Sequence, residues 1–216
     1  MIEILILAII LLISISVHEF AHAWVSYKLW DPTPKYQWRL TLNPIAHIDP
    51  IGFLMIFIIH FGWWRPVEVN PRYYKNPLLW ELIVALAGPF SNLLLAFFWT
   101  FLLVLLIKFF WMKIFYFWDL TFEWFLYKFF YLFSLINVGL AIFNLLPFPP
   151  LDWYRLIKYF FPRVWVWIDK NLFYLSLGFL LLLFLPGTWD VIKSIVLAVS
   201  KEVFNIFYVF WTMILL

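Results

Sequence analysis

"ILILAIILLISISVHEFAHAW", residues 4–24, decides how the whole chain must be read. From Ile4 to Val17 there is no charged residue, and then His18, Glu19 and His22 arrive within five positions. An apolar run of about 20 residues suits a helix that crosses a bilayer core. Ionisable groups inside such a run are costly, so they point to function.

The rest of the chain fits that beginning. It has 216 residues, 66% hydrophobic and 25% aromatic, with 12% charged, and a mean hydropathy of +0.95. A soluble domain would sit near half apolar and a quarter charged, so the composition is that of an integral membrane protein. The length allows one all-α, polytopic membrane domain of about four to six helices and no sizeable soluble module. With no cysteine, disulfides and thiolate metal sites are excluded. The start Met1-Ile2-Glu3 lacks a basic region and no small-residue cleavage site precedes His18, so the first helix is expected to be retained.

Pro32 and Pro34 end that helix near residue 29. "IGFLMIFIIHFGWW" (51–64) is apolar but too short to span, which predicts a re-entrant or interfacial segment. His60 within it is expected to anchor at an interface. Residues 65–77 read as a loop and 82–107 as the clearest span. Residues 108–128 read as an aromatic, charged interfacial connection, and 129–151 as an uncharged helix broken by prolines in "NLLPFPPLD". Broken backbone at membrane depth needs protein or a water-filled cavity around it. Residues 153–170 look amphipathic, 171–186 suit a short span, and Lys201 and Glu202 make 188–216 ambiguous. The expected organisation is one membrane-embedded domain over 1–216, with a catalytic core at about 2–158 and further helices at 171–216.

Charge sets the orientation. Lys28, Lys35, Arg39, Arg65, Arg72 and Lys75 fall between the first two firm helices, and Arg155, Lys158, Arg163 and Lys170 follow the third. Lys108, Lys113 and Lys128 lie in the opposite connection. The positive-inside rule puts 30–77 and 152–170 in the cytoplasm and the N-terminus outside. His22 and Asp152 then lie towards the same, cytoplasmic, side.

On a helix, His18 and His22 sit one turn apart on one face. Two imidazoles so placed can hold Zn²⁺, with the intervening Glu19 as general base. The bland alternative is a pair of helix histidines satisfied by each other or by a backbone carbonyl. A catalytic zinc needs a third ligand, and Asp152 stands apart from the other acids because it closes the uncharged run 129–151. The bland alternative is an N-cap for the amphipathic helix that follows.

"HEFAHAW", "LTLNPIAHIDPIG", "ALAGPFSNLLLA" and "NLLPFPPLD" occur in that order. Together they resemble the site-2 protease family of intramembrane zinc metalloproteases, in its compact prokaryotic branch without a PDZ domain. The match runs from about residue 14 to 158. The resemblance implies that His18, His22 and Asp152 ligate Zn²⁺ and that Glu19 is the catalytic base. It places Asn144 beside the active site, where a carboxamide could bond a substrate carbonyl or the developing oxyanion. Satisfying backbone freed by Pro147 is the other role open to it.

Gly88, Pro89, Ser91 and Asn92 match a family motif in which Gly88 and Ser91 would permit close helix packing. Asn43, Pro44, His47, Asp49 and Pro50 match a polar cytoplasmic segment. His47 and Asp49 are expected to order that turn or line substrate access rather than to bind metal. The implied substrate is a transmembrane helix within the lipid bilayer, with no nucleic-acid partner, and the implied location is a prokaryotic inner membrane. The family's Asp is normally followed by Gly, but Trp153 stands here, and Trp30 and Trp38 likewise occupy positions where a small residue is usual. Trp153 motivates a competing reading, a silent homologue that binds membrane helices as a scaffold.

Overall fold

The computed structural model describes residues 2–59, 62–116 and 122–216. Nine α-helices occur among them: α1 (Ile2–Lys28), α2 (Thr33–Tyr36), α3 (Pro50–Ile59), α4 (Pro77–Tyr116), α5 (Phe122–Asn144), α6 (Tyr154–Phe160), α7 (Pro162–Lys170), α8 (Leu172–Phe184) and α9 (Thr188–Leu215). The described residues form no named strand, and Ile48 and Trp64 make an isolated antiparallel bridge. Four helices are long and apolar enough to cross a membrane, or five if α7 and α8, bent by 80°, count as one span.

The chain divides into two compact units. Met1–Ser91 and Asn144–Leu185 make one, and Asn92–Phe143 with Pro186–Leu216 the other. In the first, α1 satisfies two hydroxyls within the helix: Ser14 donates to the Ile10 carbonyl at 2.7 Å and Ser16 to Leu12 at 2.6 Å. This is how a polar side chain is tolerated on an apolar helix. α1 then ends in a Schellman turn. Trp30 N–H bonds the Tyr27 carbonyl at 3.1 Å, and Asp31 N–H bonds Ser26 at 3.2 Å. α2 ends the same way, with Trp38 N–H on Lys35 at 3.1 Å and Arg39 N–H on Pro34 at 2.9 Å. The residue after the cap must be left-handed in such a turn, and Trp30 (φ 74°) and Trp38 (φ 58°) both are.

The second unit packs the later part of α4 with α5 and α9. Leu103, Leu106, Ile107 and Phe204 form its core, flanked by Tyr131, Leu135 and Tyr208. Trp99 stacks on Phe133 with ring centroids 4.3 Å apart, and the Trp211 indole donates to the Phe97 carbonyl at 3.1 Å. The Thr100 and Ser134 hydroxyls lie 2.6 Å apart beside the Ala96 carbonyl.

Helix ends differ from the sequence reading wherever charge was taken as a boundary. α4 starts at Pro77 and continues to Tyr116, with a break in helical angles at Phe110 (φ −126°, ψ 20°). α5 already begins at Phe122. Lysine does not end a helix, because its apolar stem lies along the surface and carries the charge outward. In the same way Lys201 and Glu202, both exposed, leave α9 unbroken. The amphipathic stretch 153–170 is two helices, α6 and α7, separated where Pro162 removes an N–H donor. α3 has ten residues, about 15 Å of helix, too short to cross. His60, and residues 117–121 of the expected connection, lie outside the described residues.

Candidate metal centre

Three elements of the first unit build the site. α1 contributes His18 and His22, one turn apart, with ring centroids 4.7 Å apart and planes at 79°. α4 passes behind them. The turn after α5 delivers Asp152 and is closed by Trp153 N–H on the Asn144 carbonyl at 3.0 Å. Trp153, not Asp152, is the N-cap of α6, and no side chain caps it. Asp152 instead turns back to the histidines.

His18 Nε2 and His22 Nε2 are 3.1 Å apart. Asp152 Oδ2 lies 3.1 Å from the first and 3.3 Å from the second. His22 Nδ1 is 2.7 Å from the Val84 carbonyl. A carbonyl only accepts, so Nδ1 carries a proton, and in the neutral ring Nε2 then offers a bare lone pair. That lone pair faces a carboxylate oxygen and a second imidazole nitrogen. Such a meeting of acceptors in a buried place needs a cation between them. Ligand bonds of about 2.0–2.1 Å at tetrahedral angles put donor atoms about 3.3 Å apart, close to the separations here. His18 Nδ1 is buried without a hydrogen-bond partner among the described residues, so the polar contacts of this ring gather at Nε2, on the Asp152 and His22 side. The donor set and its spacing therefore fit Zn²⁺.

Gly88 makes the approach possible. A Cβ built there would stand 2.3 Å from His22 Nε2 and 2.5 Å from His18 Cε1. The glycine lets the α4 backbone lie directly against both rings.

Glu19, next to His18 in sequence, is buried, and its Oε2 accepts the Val67 N–H at 2.9 Å. The segment carrying Val67 is held at both ends. Arg39 Nη2 donates to the Pro66 carbonyl at 3.3 Å, and Asp31 Oδ2 accepts Asn70 N–H at 2.7 Å. Burial and the Arg65 charge beside it push the Arg39 guanidinium down from its usual value. Tyr74 lies 2.7 Å from the Ser26 hydroxyl, which in turn bonds Asp31. Burial pushes the Tyr74 hydroxyl up to about 12. A bidentate ion pair, Lys158 Nζ with Glu81 at 2.8 and 2.9 Å, joins α6 to the start of α4.

His47 belongs elsewhere. Its Nε2 donates to the Thr41 carbonyl at 2.8 Å and its Nδ1 faces Arg39 Nη1 at 3.5 Å. The solvated loop expected around it is wrong at this residue, which is 1% exposed, because Arg39 and Thr41 meet both ring nitrogens. Asp49 Oδ1 accepts from Ile51 and Gly52 N–H at 3.0 and 2.8 Å, fixing the start of α3. Asp31, Arg39 and the Glu81–Lys158 pair escaped the sequence reading, which treated them as loop charges. For Asp31 and Arg39 the one visible signal was a charge placed directly after a helix-ending turn.

A family profile described as Peptidase family M50 matches residues 6–185. A protein of Bacillus subtilis (strain 168) named "Putative zinc metalloprotease YwhC" is 47% identical over 152 residues, which is 70% of this chain and 67% of that protein. No solved structure matches the chain.

Proposed function

The chain belongs to peptidase family M50, the site-2 protease family of zinc metalloproteases, and from that premise we propose that it cleaves transmembrane helices of other membrane proteins. His18, His22 and Asp152 would hold the zinc and Glu19 would serve as base. The observation that carries this reading is the convergence of the three donor atoms, within 4.8 Å of one another, beside a buried glutamate in a chain with at least four membrane-length helices.

When bound, the ion supplies Lewis acidity, bringing a water within reach of deprotonation near neutral pH and polarising the scissile carbonyl. The remaining steps belong to the protein. Glu19 takes a proton from the attacking water at a carboxylate oxygen and gives it to the departing amine nitrogen. Val67 N–H occupies Oε2, which leaves Oε1 for that transfer. Val84 keeps the His22 proton on Nδ1, so Nε2 stays available to the metal. The Asn144 carboxamide donates to the substrate carbonyl as negative charge develops there. Helical peptide bonds are shielded by their own i→i−4 hydrogen bonds, so the substrate must unwind locally before it reaches the site.

The chain is an integral membrane protein; the resemblance to the compact prokaryotic branch points to a prokaryotic plasma membrane, and the loop charges favour a site towards the cytoplasm. A silent helix-binding scaffold is the competing reading. Trp153 motivated it, but this residue has right-handed helical angles (φ −61°, ψ −27°). Nothing in its backbone requires glycine, which favours the enzyme.

The test compares bound zinc and cleavage of a panel of single-span fusion proteins. Glu19→Gln should keep one zinc per chain and lose cleavage, and Asp152→Ala should lose zinc. An intact panel with zinc-loaded wild type would favour the scaffold.

A further inference from the structure

We propose that Asp31 and Arg39 are positioning residues that fix the Glu19 carboxylate by clamping the two ends of segment 66–70. The proposal rests on Glu19 being the base.

The clamp follows from local sequence. Each Schellman turn, at Trp30 and at Trp38, reverses the chain so that the next residue points inward. Those residues are Asp31 and Arg39, 0% and 3% exposed. A charge so deeply buried is unfavourable unless its hydrogen-bonding groups are met, and here backbone groups and the Ser26 hydroxyl meet them. Asp31 Oδ1 accepts Thr33 N–H at 2.9 Å, and Oδ2 accepts both the Ser26 hydroxyl at 2.8 Å and Asn70 N–H at 2.7 Å. Arg39 Nη1 donates to the Ala46 carbonyl and Nη2 to Pro66. Charge-assisted bonds of this kind are about twice as strong as neutral ones.

Between the two anchors, Val67 N–H donates to Glu19 and Gln37 Nε2 donates to Glu68 at 2.6 Å. Residues 66–69 carry no regular secondary structure, and the first turn after them opens at its N-cap, Asn70. The position of segment 66–70 is set largely from outside, by the buried charges Arg39 at one end and Asp31 at the other, with Gln37 on Glu68 between them and Arg65 N–H on the His47 carbonyl just before it. A glutamate has three rotatable side-chain bonds, and a proton transfer loses rate steeply when its carboxylate is misplaced by about 1 Å. The two buried charges hold the Val67 N–H that bonds Glu19, and the Arg39 charge also acts on Glu19 through space.

The test is hydrogen exchange on the full, zinc-loaded chain in detergent micelles, combined with zinc content and reporter cleavage. Arg39→Gln should speed exchange over 66–70 by about tenfold or more, the effect of losing a bond to a charged group. Exchange in α1 and α4 and one zinc per chain should be unchanged, kcat should fall by a similar factor, and KM should hold. Arg39→Lys should recover part of both effects. Asp31→Asn, which keeps an acceptor oxygen and the size, gives the second arm and should act in the same direction. Unchanged exchange at 66–70, or loss of zinc together with α1 protection, would overturn the clamp, since Arg39 would then either hold nothing or simply hold the fold. If Glu19→Gln still cleaves, the protease reading and the clamp fall together. If Glu19→Gln is inactive while Arg39→Gln keeps full kcat, only the clamp falls.

Discussion

Gly88 and His22 are so close that no side chain fits between them: a Cβ on Gly88 would lie 2.3 Å from the imidazole Nε2. The helix backbone itself forms one wall of the metal centre. Gly88→Ala should therefore move the rings rather than merely add a methyl group. Zinc affinity, measured by chelator competition, should fall about 10- to 100-fold, the scale seen when support for a metal-binding histidine is lost. Gly178→Ala is the control, because a Cβ there meets nothing within 4 Å. It should leave affinity unchanged and stabilise α8 by about 0.5–1 kcal/mol. Equal zinc affinity in the two variants would contradict this account of Gly88.

The three tryptophans that stand where small residues are usual divide into two kinds. Trp30 and Trp38 have positive φ, while Trp153 has the angles of an ordinary helix. A left-handed conformation costs a bulky residue about 1–2 kcal/mol. Trp38→Gly should relieve that strain with little packing lost, since Trp38 is 85% exposed. Trp30→Gly should gain less, because the Lys75 ammonium lies 5.8 Å from the indole and that contact is worth about 0.5 kcal/mol at an exposed site. Trp153→Gly should gain nothing. Thermal unfolding in one detergent should rank Trp38→Gly above Trp30→Gly, and both above wild type and Trp153→Gly.

That division also shows where the sequence was informative. Apolar runs located the long helices, and the spacing of His18 and His22 placed them on one face, because helix period and hydropathy are local properties. Asp152 stood out because it ended an uncharged run. The backbone angles at Trp30, Trp38 and Trp153 were not legible, since all three are equally unusual as residue types. Arg39 and Asp31 were hidden for a different reason. Charge counting assigns a loop residue to solvent, whereas a helix-ending turn can direct it inward to distant backbone groups. Segment 66–70 gave no signal because its role depends on one N–H, which every non-proline residue carries.

The Glu81–Lys158 pair links α4, whose Val84 carbonyl bonds His22, to α6, the helix that follows Asp152. Glu81 is buried, and Lys158 keeps about a third of its side chain exposed. Lys158→Met leaves the carboxylate buried and unpaired, which should cost about 1–3 kcal/mol, less than for a fully buried pair. Adding Glu81→Gln should return part of that loss, because the uncompensated charge is then gone. A double-mutant cycle by urea unfolding measures the coupling. Strictly additive losses would mean the pair contributes little.

Tyr74 supplies a test of the buried network at high pH. Its hydroxyl is raised from 10.0 to about 12, first by burial and then by the Asp31 charge, against the opposing effect of its Ser26 hydrogen bond. An unfolded chain releases this proton near pH 10, while the folded chain keeps it until about 12. The unfolded state therefore binds fewer protons across that interval, so the contribution is complete below pH 10 and is lost as pH rises to 12. Tyr74→Phe cannot titrate. At neutral pH it should be less stable than wild type by about 1 kcal/mol, the usual value of one hydrogen bond. From pH 10 to 12 wild type should lose stability faster, so the gap between the two unfolding curves should narrow. A gap that stays constant to pH 12 would place the Tyr74 hydroxyl in contact with water and outside the network of Ser26 and Asp31.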